Sequence, residues 1–132
     1  MLYTQTITVP AGTSALEPAT QDMALSYGTL RNAWVHFPPG CRGTVSLAVF
    51  HRLQQVIPAT PGESLALDDV LYGFPVGYPI DSLPYTLQLR GWSPDAAFAH
   101  TLTVYLDVDV SVAEPTPLTP GQLMGFLSGI LE

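Results

Sequence analysis

Three histidines and a group of acidic side chains are the residues of this sequence whose types can support metal chemistry. His36, His51 and His100 fall in or beside predicted strands, without the H-x-H or H-E-x-x-H spacing that brings two imidazoles onto one metal ion. The acidic residues of the loop-rich middle of the chain lack the spacing of a calcium-binding loop; they are Glu63, Asp68, Asp69 and Asp81. We therefore expect no metal and no other cofactor, and we interpret the histidines as ordinary half-exposed strand residues.

The sequence also contains little that would indicate nucleophilic or acid–base catalysis. Cys41 is the only cysteine; Arg42 beside it would lower the thiol pKa, but no histidine can be assigned to orient it. Asp107 and Asp109 alternate on the polar face of the longest predicted strand, where solvation explains them without acid–base chemistry. No G-x-S-x-G, phosphate-binding loop or dinucleotide glycine pattern is present. The sequence predicts a protein that is not an enzyme.

Aromatic residues offer a different kind of site, one for binding. The segment LYGFPVGYP reads as a loop bounded by proline, which favours exposed rings. Tyr72, Phe74 and Tyr78 in this segment, together with Trp92, are therefore candidates for contact with a ligand or with a neighbouring subunit. Trp34 and Trp92 lie in predicted strands, so a structural role is at least as well supported for these two residues.

Composition narrows the classes of partner. The 132 residues fit one domain, and they include no lysine, four arginines and a formal net charge of −7. Nucleic acid and anionic membrane surfaces need cations, so neither is an expected partner. Every apolar run is too short for a transmembrane helix, and no signal peptide is evident at the N-terminus. Only 11% of the residues are charged, against about 25% in typical domains, which suggests that other subunits cover much of the surface.

Period-two alternation predicts an all-β fold: an antiparallel β-sandwich, with a jelly roll as one topology that fits. The predicted strands cover residues 3–9, 22–27, 30–37, 44–52, 85–92 and 100–112, with short edge strands near 54–58 and 69–74. The strands on either side of PPGCRG are expected to form a hairpin. One face of the last strand is apolar through Val110 and Val112. The expected inward-facing side chains are Val45, Leu47, Leu87, Leu89, Leu102, Val104 and Leu106.

The chain is predicted to close with a proline-rich linker over residues 113–120 and an amphipathic helix over 121–132, after a sandwich domain at 1–112. Thr119 suits the N-cap and Pro120 the first helical position. A dozen residues with two interior glycines form a helix too weak to persist alone, so it must dock on its own sandwich, a neighbouring subunit or another protein. The predicted partner-binding side chains are Leu123, Met124, Phe126, Leu127, Ile130 and Leu131.

Two stretches, VHFPPGCRGTVSLAVF and LRGWSPDAAFAHTLTVYLDVDV, carry a resemblance to known proteins. Over residues 30–112 the chain resembles the small β-sandwich virion structural proteins of tailed bacteriophages, the class of head-decoration and accessory proteins. The resemblance implies a non-enzymatic shell protein that contacts other virion shell proteins. It implies a homo-oligomer, with a trimer as the favoured state. It also implies assembly in the host cytoplasm and a final place in the virion. No catalytic residues come with it.

A second function remains open. The same fold suits a carbohydrate- or receptor-binding β-sandwich module, with its site at the aromatic residues of 72–78 and at Trp92. A shell protein should self-associate in solution, whereas a binding module need not, so light scattering distinguishes the two.

Overall fold

The fold is all-β. The computed structural model describes residues 1–110, which contain eight strands and no helix, and so no helix long and apolar enough to cross a membrane. Residues 111–132, which hold the predicted linker and helix, lie outside the described residues. The strands are β1 (Leu2–Val9), β2 (Ala19–Ala24), β3 (Gly28–Phe37), β4 (Ser46–His51), β5 (Gln54–Ile57), β6 (Val70–Ile80), β7 (Thr86–Trp92) and β8 (His100–Val110).

The strands form two antiparallel sheets of four strands each. The first sheet has the order β1-β8-β3-β6 and the second the order β2-β7-β4-β5. In chain order, the first strand pairs with the last, the second with the second to last, and so on inward: β1 with β8, β2 with β7, β3 with β6 and β4 with β5. The chain is therefore one long antiparallel ribbon wrapped into two layers. An eight-stranded ribbon wrapped in this way is a jelly roll.

One hydrophobic core joins the two sheets. All seven side chains predicted to face inward are fully buried, which confirms the buried faces predicted for the strands at 44–52, 85–92 and 100–112. Gly91 makes the close approach of the sheets possible: a Cβ atom there would lie 2.5 Å from Cγ2 of Val9 on β1. The buried part of the apolar face of β8 ends at Val108; Val110, on the same face, is exposed at the end of the strand.

The hairpin predicted around PPGCRG is wrong. β3 lies in the first sheet and β4 in the second, so residues 38–45 carry the chain from one layer to the other. Two N–H groups of this crossing, from Gly40 and Arg42, donate to Oδ1 of Asp68 at 3.0 and 2.9 Å. Alternation along a strand identifies its buried face but not its partner, and here each strand finds its partners elsewhere.

The irregular middle of the chain also departs from prediction. β6 is an eleven-residue strand rather than a short one at 69–74, and it is an edge strand, as predicted. Pro75 and Pro79 are tolerated because an edge strand leaves half of its N–H groups unpaired. The pairing of β3 with β6 shifts register between Leu30 and Asn32, where two residues of β6, Val76 and Gly77, lie opposite Arg31 alone and form a bulge on β6. β2 ends at Ala24, so the predicted strand at 22–27 was placed three residues too late.

Candidate interaction surfaces

The histidines do not come together. His36 lies on the outer face of β3, His100 begins β8, and His51 is buried between the sheets. Within residues 1–110, no three His, Cys, Asp or Glu side chains are placed as a metal site requires. The predicted histidine and acidic residues therefore do not form a cluster of metal-ligating side chains in this part of the chain.

His51 has a structural role, which corrects its interpretation as a half-exposed residue; its side chain is 4% exposed. Its Nε2 lies 2.8 Å from the carbonyl oxygen of Pro84, which can only accept, so Nε2 is the donor in this bond. Nδ1 and the hydroxyl oxygen of Tyr78 lie 2.6 Å apart and form a second hydrogen bond. The imidazole joins β4 to β6 and to the segment before β7.

Three of the acidic residues, Asp68, Asp107 and Asp109, are engaged in structural contacts. Oδ2 of Asp109 accepts hydrogen bonds from Nε and Nη2 of Arg31, at 3.1 and 2.6 Å. Asp107 lies 3.6 Å from the amino group of Met1 and accepts a hydrogen bond from Asn32. Both carboxylates join neighbouring strands of the first sheet, and Asp68 holds the crossing between the sheets.

Cys41 is fully buried. Burial raises the pKa of its thiol above the ordinary value of 9.0, and the negative charge of Asp68 raises it further. The expectation that Arg42 lowers this pKa is wrong, because desolvation and the nearby carboxylate both favour the neutral thiol. Cys41 is therefore a packing residue with little nucleophilic character at neutral pH.

The four aromatic candidates occupy three places. Tyr72 and Phe74 lie together on β6, with ring centroids 5.3 Å apart, in an apolar groove of about 270 Å³ between the edges of the two sheets. Tyr78 packs against His51. Trp92 is on the outer face of the second sheet, beside a separate groove. They do not form one platform, and a contact of each with a ligand or subunit stays a prediction.

A surface that the sequence did not reveal lies on the outer face of the first sheet. Four side chains, hereafter the outer patch, surround a shallow depression of about 250 Å³; they are Leu2, Trp34, Leu71 and Tyr105. Leu2 and Leu71 are 58% and 56% exposed. The indole of Trp34 lies over Gly73, where a Cβ atom would come within 2.4 Å of its Cδ1. The only signal in the sequence is Tyr105 on an otherwise polar strand face.

The outer patch adjoins an unprotected sheet edge. β6 is protected from pairing with another strand by two prolines and a bulge, while β5 and β2 are short. β1, the remaining edge strand, has eight residues with no charge and no proline. Its odd-numbered residues are hydrogen-bonded to β8, so the N–H and C=O groups of Leu2, Thr4, Thr6 and Thr8 point away from the sheet. The predicted partner-binding residues of 121–132 lie outside the described residues.

Comparisons with known proteins find only distant structural similarity. The chain matches no protein-family model and no curated protein. It is similar to the crystal structure of Fe(II)-HppE with an alternative substrate, at 8% identity and a TM-score of 0.39, over 79% of this chain and 41% of that one. It is similar to the VP2 subviral particle of infectious bursal disease virus, at 15% identity and a TM-score of 0.32, over 99% and 47%.

A carbohydrate-binding module of the β-sandwich superfamily is a third similar structure, at 14% identity and a TM-score of 0.27, over 82% of this chain and 54% of that chain. The chain thus spans about half the length of the solved structures it matches.

Proposed function

We propose that the protein is a non-enzymatic structural protein of a virion shell, such as a capsid-decoration or tail accessory protein, which self-associates through the outer face of its first sheet. Its C-terminal residues 121–132 add a second contact by docking on a neighbouring subunit or on another shell protein. The low content of charged residues supports this role, because a surface that is covered in an assembly needs few charges.

The outer patch is the observation that carries the proposal. Two leucines and two aromatic rings on one sheet face are a contiguous apolar surface of the kind that marks protein contacts. The patch begins on β1, so one partner can cover both the patch and the free edge of that strand.

A second copy of the chain is the occupant that fits best. The charges nearest to the patch are already paired within one molecule, Arg31 with Asp109 and Asp107 with the amino group of Met1. Two identical faces can therefore meet without repulsion between like charges. Pairing of β1 with β1 would give a two-fold dimer, whereas contact through the patch alone is compatible with the trimer that the resemblance implies.

Light scattering of Leu71→Asp tests the proposal. Leu71 is exposed, so the substitution should leave the fold intact, which circular dichroism checks. The substitution removes the burial of one leucine side chain at the contact, which is worth about 1.5–3 kcal/mol. Association should therefore weaken at least about tenfold.

The matched control is Leu16→Asp, since Leu16 is 93% exposed and lies in the loop between β1 and β2. This variant should associate as the parent does. A parent chain that is monomeric at every concentration overturns the proposal, as does a Leu71→Asp variant that associates normally.

A further inference from the structure

The second sheet carries a groove on its own outer face, away from the outer patch. The groove has a volume of about 490 Å³, and its floor includes Phe50, Arg90 and Trp92. A second depression of about 540 Å³ adjoins it and shares Leu53 and Arg90 with it. The two adjacent depressions, hereafter the furrow, together extend along the outer face of the second sheet, which suits a chain-like ligand better than a compact one.

Hydrogen bonds hold both walls of the groove. On one side, the side chain of Gln55 donates to the carbonyl oxygens of Pro58, Thr60 and Glu63 and accepts from the N–H of Gly62. On the other side, Thr13 pairs with Ser93 and fixes the loop that contains Ala15. Walls held in this way lower the ordering cost of binding a ligand.

The floor presents flat groups in fixed orientations. The guanidinium of Arg90 lies 3.9 Å from the ring centroid of Phe50, and its Nε donates to Oε1 of Gln88 at 2.7 Å. Stacking and this hydrogen bond orient the group, and neither uses its terminal N–H groups. Trp92 supplies an aromatic surface in the same groove, and Gln54 and Glu63 supply further polar groups.

Charge and backbone pairing indicate the ligand. Two cationic side chains, Arg52 and Arg90, and two anionic ones, Asp22 and Glu63, line the furrow, so its formal charge is zero in a molecule of net charge −7. A peptide that adds a strand needs a free sheet edge, but the floor is built on β7 and β4, both of which are paired on either side.

We propose that this furrow binds a neutral oligosaccharide, with a sugar ring packed on Trp92 and its hydroxyls bonded to Arg90, Gln54 and Glu63. A sugar ring combines an apolar C–H face with a rim of hydroxyl donors and acceptors, which matches an aromatic ring beside planar polar groups. This binding activity goes beyond self-association and uses the opposite layer of the molecule, so either function can fail without the other.

The test is a binding screen with neutral hexasaccharides of glucose, galactose, mannose and N-acetylglucosamine, and with a hexamer of galacturonic acid as the anionic control. The Trp34→Phe variant leaves Trp92 as the only tryptophan, so its fluorescence reports on the groove. At least one neutral hexasaccharide should bind and change this fluorescence.

Trp92→Ala should weaken binding of that sugar at least tenfold. The matched control is Phe98→Ala, which removes an aromatic ring that is 75% exposed and lines neither depression, and it should bind as the parent does. Glu63→Ala, on an exposed loop, is a second variant that should weaken binding without affecting folding. The proposal is overturned if no neutral sugar binds at millimolar concentration, if only the anionic hexamer binds, or if Trp92→Ala and Glu63→Ala both bind normally.

Discussion

Burial, rather than the neighbouring residue in the chain, controls the chemistry of Cys41. The sequence places Arg42 next to the thiol and suggests a lowered thiol pKa, but Arg42 is exposed and Cys41 is enclosed. Adjacent residues commonly point in opposite directions, so adjacency predicts little about electrostatics. Tyr78 shows the same effect: burial and Asp81 raise its pKa, while Arg52 lowers it by less.

The raised pKa of Cys41 makes stability depend on alkaline pH. The unfolded thiol ionises near pH 9.0 and the folded thiol only at higher pH. The contribution is fully present below pH 9, and it is lost as the pH rises through the folded-state pKa, by up to about 1.4 kcal/mol per pH unit. Cys41→Ala should therefore lose less free energy of unfolding than the parent between pH 8 and pH 10.5, as measured by urea denaturation. Equal losses in the two proteins would contradict this assignment.

Gly91 sets the distance between two elements, β7 and β1. Because a Cβ atom at this position would lie 2.5 Å from Cγ2 of Val9, Gly91→Ala should force the strands apart and cost about 1–3 kcal/mol in the free energy of unfolding. Val9→Ala removes the clashing methyl group but leaves a cavity. If the contact is responsible, the double variant should be more stable than the sum of the two single losses predicts. Strictly additive losses would argue against it.

The elements that sequence could predict are those with one buried and one solvated face. β8 and β7 alternate regularly, so the residues predicted to face inward on them, Leu87 and Leu89 on β7 and Leu102, Val104 and Leu106 on β8, are all buried. β6 was not identified at full length, because Pro75, Pro79 and two glycines suggest a loop, and only its position at an edge permits a strand. The outer patch was not predicted because its residues come from four different strands. The order of those strands in the sheet cannot be inferred from the local sequence of any one of them.

At the scale of the whole molecule, the described residues form one continuous hydrophobic core. Its buried side chains run from Ile7 to Val108. Deleting residues 113–132 should therefore leave a folded protein with a melting temperature close to that of the parent, measured by calorimetry. Because the deleted segment carries the predicted docking stripe, light scattering should show smaller assemblies for the truncated chain.

Two results would contradict this prediction. An unfolded truncated chain would mean that residues 113–132 complete the core of their own domain. A folded truncated chain with unchanged assemblies would remove the docking role of Leu123, Phe126 and Leu127, and would leave association to the first sheet alone.

The wrapped ribbon has a consequence during synthesis on the ribosome. β5 follows β4 after two residues, so this pair can form at once, whereas Leu2 must wait for Asp107 before β1 can pair with β8. At about 5–20 residues per second, the first strand made remains unpaired for roughly 5–20 seconds. That strand, LYTQTITV, has eight residues without a charge or a proline to discourage contact with other nascent chains. The uncharged edge that suits the proposed self-association is thus also a segment that needs protection while the chain is still being made.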